Sequence, residues 1–285
     1  MTDDSATPLL RVTGARKTYE RAGQTHRFRR SAKEEFVAVD DVSIHIDPGE
    51  TLSVVGESGS GKSTLGRLIL GLTQPSAGTI EFDGADITRR TPRARRELTR
   101  MLQVVFQDPY SSLDPRQRVA DIIREPLDIH SIGSAEERRE RVREVMDQVA
   151  MPARMGAFFP HQLSGGLRQR VCIATALVVR PRLIVADEPV SALDVSVQAQ
   201  ILALFEQIRA TNAVSLLFIS HDLGVVHQVS DRVAVMRRGR IVETGPVDDV
   251  FSHPSHPYTA ALLSAIPPAD PRTPFNPIFD EGEQA

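Results

Sequence analysis

A glycine-rich stretch carries the clearest chemistry in the sequence. A phosphate chain is polyanionic, so it needs several backbone N–H groups that converge on it, and glycines leave no Cβ atoms in their way. A lysine in such a loop supplies positive charge to the β- and γ-phosphates, and a following serine hydroxyl can ligate Mg²⁺. The residues that we predict to bind nucleotide in this way are Gly56, Glu57, Ser58, Gly59, Ser60, Gly61, Lys62, Ser63 and Thr64.

Two adjacent carboxylates form a second candidate for chemistry. The apolar run from Leu183 to Ala186 ends at Asp187 and Glu188, the position at which open α/β sheets bind ligands. We predict that Asp187 holds Mg²⁺. Because consecutive strand residues point to opposite sides, Glu188 can face the attacking water as general base. Adjacent acids also begin many solvated loops, so this assignment depends on the presence of Lys62.

These groups need strands and helices to position them, and the sequence alternates between the two patterns. Helical patterns run from Lys62 to Leu72 and from Ser134 to Ala150, where Ser134 and Glu137 predict a capping box. Gly239 predicts a hairpin turn from Arg237 to Arg240. Strands alternating with helices predict an α/β fold with a mostly parallel sheet. The predicted strands are Thr51–Val55, Gln103–Phe106, Leu183–Ala186, Leu216–Ile219 and Val233–Met236.

The character of the chain changes along its length. We predict a loose tail at residues 1–8, an α/β domain at 9–245 and a C-terminal segment at 246–285. Residues 109–180 have few strand signals and are expected to form a helical subdomain. The Pro- and His-rich stretch from Phe251 to Pro274 is expected to have few regular elements.

Composition excludes several classes of protein. With 285 residues, the chain can hold one large α/β domain with a subdomain or tail. Its 34 Lys and Arg against 37 Asp and Glu give no reason to expect nucleic acid as a partner. The single cysteine, Cys172, permits no intramolecular disulfide, favours a cytosolic chain and is expected to be a buried small hydrophobe. No apolar run approaches 18 residues, so we expect no membrane span, and the acidic start does not predict a secretion signal.

The glycine-rich stretch follows a predicted strand and opens a predicted helix, which is the context of a P-loop. A kinase, a GTPase or any P-loop ATPase fits these features. The run Leu163-Ser164-Gly165-Gly166-Leu167 then resembles the signature Leu-Ser-Gly-Gly-Gln of the ABC ATPases. The resemblance implies that Ser164, Gly165 and Gly166 contact the γ-phosphate of ATP bound to another subunit. Leu167 stands where the family usually has Gln.

Four further positions fall in the family's order. The resemblance implies that Gln107, in the Q-loop, senses Mg²⁺ or water, and that the residues after it face the membrane subunit. Asp194 matches the D-loop at the subunit junction. His221 matches the switch region, where it would touch the γ-phosphate. Tyr19, which we expect ahead of the first sheet strands, matches the aromatic residue that stacks on adenine.

Taken whole, the resemblance implies a P-loop ABC ATPase domain with a RecA-like mixed-sheet core, an antiparallel β subdomain and a helical signature subdomain. The run from His253 to Pro267 is similar to the C-terminal segment of oligopeptide and dipeptide importer ATPases. The Arg21–Phe36 insertion resembles a loop of the second ATPase subunit of such importers. The implied catalytic residues are Glu188, His221, Gln107 and Lys62, and the implied Mg²⁺ ligands are Ser63, Gln107 and Asp187.

The resemblance also implies cofactors, partners and a location. ATP and Mg²⁺ would be bound, and the partners would be a second ATPase subunit, two permeases and, indirectly, an extracytoplasmic solute-binding protein. The chain would lie at the cytoplasmic face of the inner membrane, with hydrolysis driving peptide uptake. An alternative is a soluble ABC-type switch on ribosomes or nucleic acid, although such proteins usually carry two ATPase halves or a long coiled coil. A kinase or GTPase is disfavoured by the signature run.

Overall fold

A computed structural model of the chain describes residues 7–21 and 34–265. Most of the predicted N-terminal tail, residues 22–33 of the Arg21–Phe36 insertion and residues 266–285 lie outside this part. The described residues form two compact units. The first comprises 7–21, 34–47, 52–90 and 221–265, and the second comprises 48–51 and 91–220.

Strands and helices alternate over much of the chain, as predicted. The strands are β1 (Leu10–Arg21), β2 (Glu34–Ile46), β3 (Thr51–Val55), β4 (Ala77–Phe82), β5 (Ala85–Asp86), β6 (Leu102–Val105), β7 (Leu183–Asp187), β8 (Ser215–Ser220), β9 (Arg232–Arg237) and β10 (Arg240–Pro246). The helices are α1 (Lys62–Ile69), α2 (Pro92–Met101), α3 (Pro109–Ser112), α4 (Val119–Ile129), α5 (Ala135–Gln148), α6 (Gly165–Leu177), α7 (Val195–Asn212), α8 (Leu223–Val229), α9 (Val247–Ser252) and α10 (Pro257–Ser264).

The first unit contains an antiparallel sheet in the order β2-β1-β4-β5. Leu10 faces Ile46 on one side and Phe82 on the other, and all three side chains are buried. Bulges interrupt the register of β1 with both of its neighbours. These strands were not recognised from periodicity, because the bulges break the alternation that marks a half-buried strand.

The same unit contains β3, which pairs in parallel with β9, and the hairpin of β9 and β10. The predicted turn is confirmed, since Arg237 pairs with Arg240 around Gly239. Helix α1 ends at Ile69 rather than at the predicted Leu72. Gly71 follows in the left-handed region (φ 67°), a common way for a helix to stop.

The C-terminal part of this unit is more regular than its composition predicts. Helix α9 extends into the Pro- and His-rich stretch as far as Ser252, and α10 lies inside it, so the expectation of few regular elements is wrong for the described residues. Pro257 occupies the first turn of α10, where its missing N–H costs nothing. Tyr258 packs into a buried cluster with Val55, Leu223, Val226, Val233, Val235 and Val250.

The second unit places parallel strands in the order β8-β7-β6 beside a largely helical region. All but Asp187 of the β7 side chains are buried, which matches the expectation of strands covered on both faces. Strand β6 is offset by one residue from its prediction and ends before the exposed Phe106. Helix α5 begins with the predicted capping box of Ser134 and Glu137.

Helix α6 of this unit carries the single cysteine. Cys172 is buried, as predicted, and its burial raises the pKa of the thiol to about 12, with the nearby charge of Asp108 acting in the same direction. A thiol with such a pKa is a poor nucleophile. Within the described residues, none of the helices combines the length and the apolar character that crossing a membrane requires.

Candidate functional site

The glycine-rich loop of the first unit links β3 to α1. Gly56 has φ 149° and Gly61 has φ 112°. A Cβ atom at Gly56 would lie 2.1 Å from the Met236 carbonyl oxygen, and one at Gly61 would lie 2.3 Å from that of Ala38. The Gly239 N–H donates to the Ser60 carbonyl (2.8 Å). Both backbone conformation and close packing therefore require glycine, and they hold the loop in one shape.

Lys62 is buried, with only 4% of its surface exposed. Its Nζ donates to the carbonyl oxygens of Gly56 (2.6 Å) and Glu57 (2.8 Å). A buried ammonium group needs such partners, because an uncompensated charge in the interior is costly. The loop thus holds one positive charge at the N-terminus of α1, where the helix dipole adds to it.

Two observations in this loop fit a phosphate group. Helix α1 has Gly61 as its N-cap and no side-chain cap, and the N-terminus of a helix is a favourable place for an anion. The Ser60 hydroxyl is buried and has no hydrogen-bond partner among the described residues. Ser63 and Thr64 follow in the first turn and are half-buried.

In the second unit, the structure brings together two of the predicted catalytic side chains. Strands β6 and β7 are parallel neighbours, so Gln107 and Glu188 follow adjacent carboxyl ends. The Gln107 Nε2 donates to Glu188 Oε2 (3.2 Å). Glu188 adopts φ 50°, and its N–H donates to the Ile219 carbonyl (2.9 Å). Its carboxylate is half-buried, as is Asp187, the last residue of β7.

The predicted signature run lies at the start of α6. Ser164 is the N-cap, and its hydroxyl accepts from the Leu167 N–H (3.4 Å). Ser164 and Gly165 are exposed, whereas Gly166 is buried against α7. An exposed serine and exposed backbone at a helix N-terminus can offer donors to an anion. Leu167 takes part in the cap through its backbone N–H and not through its side chain.

Gly166 permits the close approach of α6 to α7. A Cβ atom there would lie 2.3 Å from Val197 Cγ1, whereas one at Gly165 would lie an ordinary 3.5 Å from Leu193 Cδ2. We expect Gly166→Ala to lower the melting temperature by about 2–8 °C, because overpacking costs about 1–3 kcal/mol and alanine regains at most about 1 kcal/mol of helix propensity.

Thermal unfolding checks this expectation, with Gly165→Ala as the matched control. Adding Val197→Ala to Gly166→Ala should restore most of the loss, since it removes the clashing methyl group. Equal melting temperatures for the two alanine variants would contradict the packing interpretation.

Asp194 caps α7. Its Oδ1 accepts from the Val197 N–H (3.0 Å) and the Ser196 hydroxyl (2.8 Å), and these hydrogen bonds hold the pKa of the Asp194 carboxyl below its ordinary value. The carboxylate is exposed and ionised. Its predicted place at a subunit junction stays a prediction, and the cap gives it a second, local role.

His221 and Tyr19 lie in the first unit and are both exposed. His221 follows the end of β8 and precedes Asp222, the N-cap of α8. Tyr19 was expected ahead of the first sheet strands, but it lies within β1, opposite Phe36. The prediction failed because the bulged strand was not recognised. The ring is 39% exposed, and Lys17 Nζ lies 5.0 Å from its centroid.

One contact to the loop was not predicted from sequence. The Glu57 N–H donates to the Tyr258 hydroxyl (3.2 Å), although 201 positions separate the two residues. In the sequence, the run from His256 to Tyr258 indicated only a resemblance to a family and did not predict this contact. His256 accepts from the Tyr258 N–H through Nδ1, which supports a structural role. Among residues 7–21 and 34–265, no group of His, Cys, Asp and Glu could hold a metal ion by itself.

Comparisons with known proteins agree with these features. The profile of the ABC transporter family matches residues 39–191, and that of the oligopeptide/dipeptide transporter C-terminal region matches residues 242–283. The oligopeptide transport ATP-binding protein OppF of Bacillus subtilis is 49% identical over 82% of this chain and 77% of its own length. The glutathione import ATP-binding protein GsiA of Pectobacterium atrosepticum is 47% identical over 93% of this chain but only 42% of its own length.

Solved structures extend the likeness to the fold. The ATP-binding cassette MJ0796, in a dimeric post-hydrolysis state bound to ADP and Pi, aligns with a TM-score of 0.72 and 28% identity over 84% of this chain and 98% of its own. CbiO1 of Clostridium perfringens, part of the cbiONQ ABC transporter complex, aligns with a TM-score of 0.74 and 26% identity over 86% and 91% of the two chains. The predicted fold class is thereby confirmed. The chain belongs to the ABC transporter ATPases and carries the C-terminal region of the oligopeptide/dipeptide transporters.

Proposed function

We propose that this chain binds and hydrolyses ATP as the motor subunit of an importer for peptides. The observation that carries the proposal is the conjunction, in one chain, of the glycine-rich loop around Lys62 and the Gln107–Glu188 pair with a C-terminal region of the oligopeptide/dipeptide type. The names of OppF and GsiA, which refer to oligopeptide transport and glutathione import, support a peptide-like solute.

In the first unit, the loop from Gly56 to Thr64 holds the phosphates. Converging N–H groups and the Lys62 ammonium group provide positive charge for the phosphates. Because the fold already holds these groups in place, no solvent reorganisation is needed when they act. The buried Ser60 hydroxyl can donate to a phosphate oxygen. Tyr19 offers an aromatic face for adenine, and His221 a ring nitrogen for the γ-phosphate.

In the second unit, Glu188 positions the attacking water and accepts its proton. Gln107 donates to the carboxylate and so fixes its orientation. Ser63, Gln107 and Asp187 would supply the kind of oxygen ligands that Mg²⁺ prefers. When bound, this ion would neutralise charge on the β- and γ-phosphates.

Ser164, Gly165 and Gly166 serve a nucleotide bound by another subunit. Exposed donors at the start of α6 would arrive at the phosphates only when two subunits close, so hydrolysis would be tied to dimerisation. Asp194 lies at the start of the neighbouring α7 and would adjoin the same junction. The dimeric state of MJ0796 supports this arrangement.

The proposed partners are a second ATPase subunit, homologous or identical, two permeases and, through them, an extracytoplasmic solute-binding protein. The chain would lie on the cytoplasmic face of the membrane, and nucleic acid is not among the proposed partners. Tyr110, which follows the Q-loop glutamine and is exposed, suits a permease contact, and Phe106 just before that glutamine is also exposed. The proposed domains are an ATPase domain at 9–245, which includes a helical subdomain at about 109–180, and a C-terminal segment at 246–285.

Purification from detergent-solubilised membranes tests this proposal. We expect the tagged chain to carry with it a second ATP-binding protein and two membrane proteins, and the complex to hydrolyse ATP without phosphorylating a second substrate. A matched preparation from the soluble fraction serves as control. Recovery only with ribosomes or nucleic acid would overturn the importer proposal.

A further inference from the structure

The C-terminal segment is fastened to the body of the first unit by charge-assisted hydrogen bonds. The Glu243 carboxylate on β10 accepts from the N–H groups of Ser255 (2.7 Å) and His256 (3.1 Å). His256 then caps α10 by accepting from the Tyr258 N–H (3.1 Å). Three backbone N–H groups, those of Ser255, His256 and Tyr258 itself, are thus held at the buried tyrosine.

Tyr258 projects from this anchored segment into the core beneath the glycine-rich loop. Its side chain is 3% exposed and packs in the cluster that contains Val55, the last residue of β3. The Arg237 guanidinium stacks over the ring, 4.6 Å from its centroid. Packing and stacking together leave the hydroxyl little freedom, so it reaches one defined place.

That place is the backbone of the loop itself. The hydroxyl accepts from the Glu57 N–H, while the Glu57 carbonyl accepts from Lys62 Nζ (2.8 Å) and from the Ser60 N–H (3.2 Å). Glu57 is therefore held at its N–H by the C-terminal segment and at its carbonyl by the lysine. The peptide between Gly56 and Glu57 also carries the Gly56 carbonyl that accepts from Lys62 Nζ (2.6 Å), so a rotation of this peptide would alter both the tyrosine and the lysine contacts.

We propose that Tyr258 is a positioning residue for the phosphate-binding loop, and that through it the C-terminal segment and the nucleotide site are coupled. The hydroxyl fixes the Glu57 backbone, which in turn sets where the Lys62 ammonium group lies. Because binding free energies are reciprocal, nucleotide in the loop should also stabilise the docking of α10. This inference rests on the proposed role of the loop in binding ATP.

The test uses the full chain and Tyr258→Phe, which keeps the ring, its packing and its stacking but removes the hydroxyl. We expect the affinity for ATP with Mg²⁺ to fall about 3- to 10-fold, the range for loss of one hydrogen bond. The Michaelis constant should rise by a similar factor, with kcat changed less than about twofold. Ser252→Ala, in the same segment and away from the loop, is the matched control.

A second measurement separates positioning from packing. ATP should slow hydrogen exchange of the α10 amides in the unaltered chain and in Ser252→Ala, and should slow it much less in Tyr258→Phe. The melting temperature of Tyr258→Phe without nucleotide should stay close to that of the control. Unchanged affinity and unchanged ATP-dependent protection in Tyr258→Phe would overturn the inference.

Lys62→Met distinguishes this failure from failure of the proposed site. If Lys62→Met binds ATP about 10- to 100-fold more weakly while Tyr258→Phe behaves as the control, the positioning role alone is wrong. If Lys62→Met binds ATP like the unaltered chain, the loop is not the phosphate site, and the coupling proposal falls with it.

Discussion

Replacing Glu188 by glutamine should reduce ATP hydrolysis in the assembled complex by about 10²- to 10⁴-fold, the usual contribution of a positioned general base. The change removes the group that accepts the proton of the attacking water. It preserves the shape of the side chain, and the new amide oxygen can still accept from Gln107 Nε2, which lies 3.2 Å from Glu188 Oε2. ATP affinity should therefore stay within a few-fold of the original value.

The same variant should accumulate as a closed ATP-bound dimer, since closure no longer ends in hydrolysis. Steady-state phosphate release, nucleotide binding and size-exclusion chromatography with ATP together check the result. Glu136→Gln, which removes an exposed carboxylate from the first turn of α5 in the same unit, is the control. Hydrolysis by Glu188→Gln at an undiminished rate would show that another group is the base.

Replacing Lys62 by methionine should weaken ATP binding by about 10- to 100-fold, the value of one or two charged hydrogen bonds. Methionine retains most of the apolar stem of a side chain that is 4% exposed, so the fold should be kept. It cannot donate to phosphate, nor to the carbonyl oxygens of Gly56 and Glu57 that Nζ now contacts. Hydrolysis should fall with binding.

Equilibrium titration with ATP and Mg²⁺ measures this effect, and thermal unfolding confirms that the protein is folded. Arg67→Gln is the matched control, because it removes one positive charge from the same helix at an exposed position. If both variants bound ATP equally well, Lys62 would have no part in phosphate recognition.

Sequence patterns predicted the parallel strands well because these strands are largely buried and rich in apolar residues. Strands β3 and β8 are wholly buried, and each prediction fell within a residue of the observed bounds. The bulged β1 and β2 could not be found in this way, since their register shifts break strict alternation. The helical region was predicted from its lack of strand signals and from the capping box of α5.

In the candidate site, too, local features could be predicted from the sequence and contacts between distant segments could not. Short motifs in the chain located Lys62 and Glu188, because phosphate and water chemistry constrain nearby residues in sequence, whereas Gln107 was predicted only from the family resemblance. Contacts between distant segments left no such trace: the Glu57–Tyr258 hydrogen bond and the fit of Gly166 against Val197 depend on three-dimensional packing. Helix α10 was also not predicted, because the prolines around it indicated an irregular segment. Its own proline lies in the first turn, where helices tolerate it.

The central claim is that the start of α6 serves a triphosphate held by the glycine-rich loop of another subunit. The most direct measurement is a structure of the assembled complex with a non-hydrolysable ATP analogue. We expect Ser164 Oγ within hydrogen-bond distance of the γ-phosphate bound by the partner subunit, about 2.5–3.0 Å for such a contact. A closed complex in which Ser164 contacts no phosphate of either nucleotide would contradict this account.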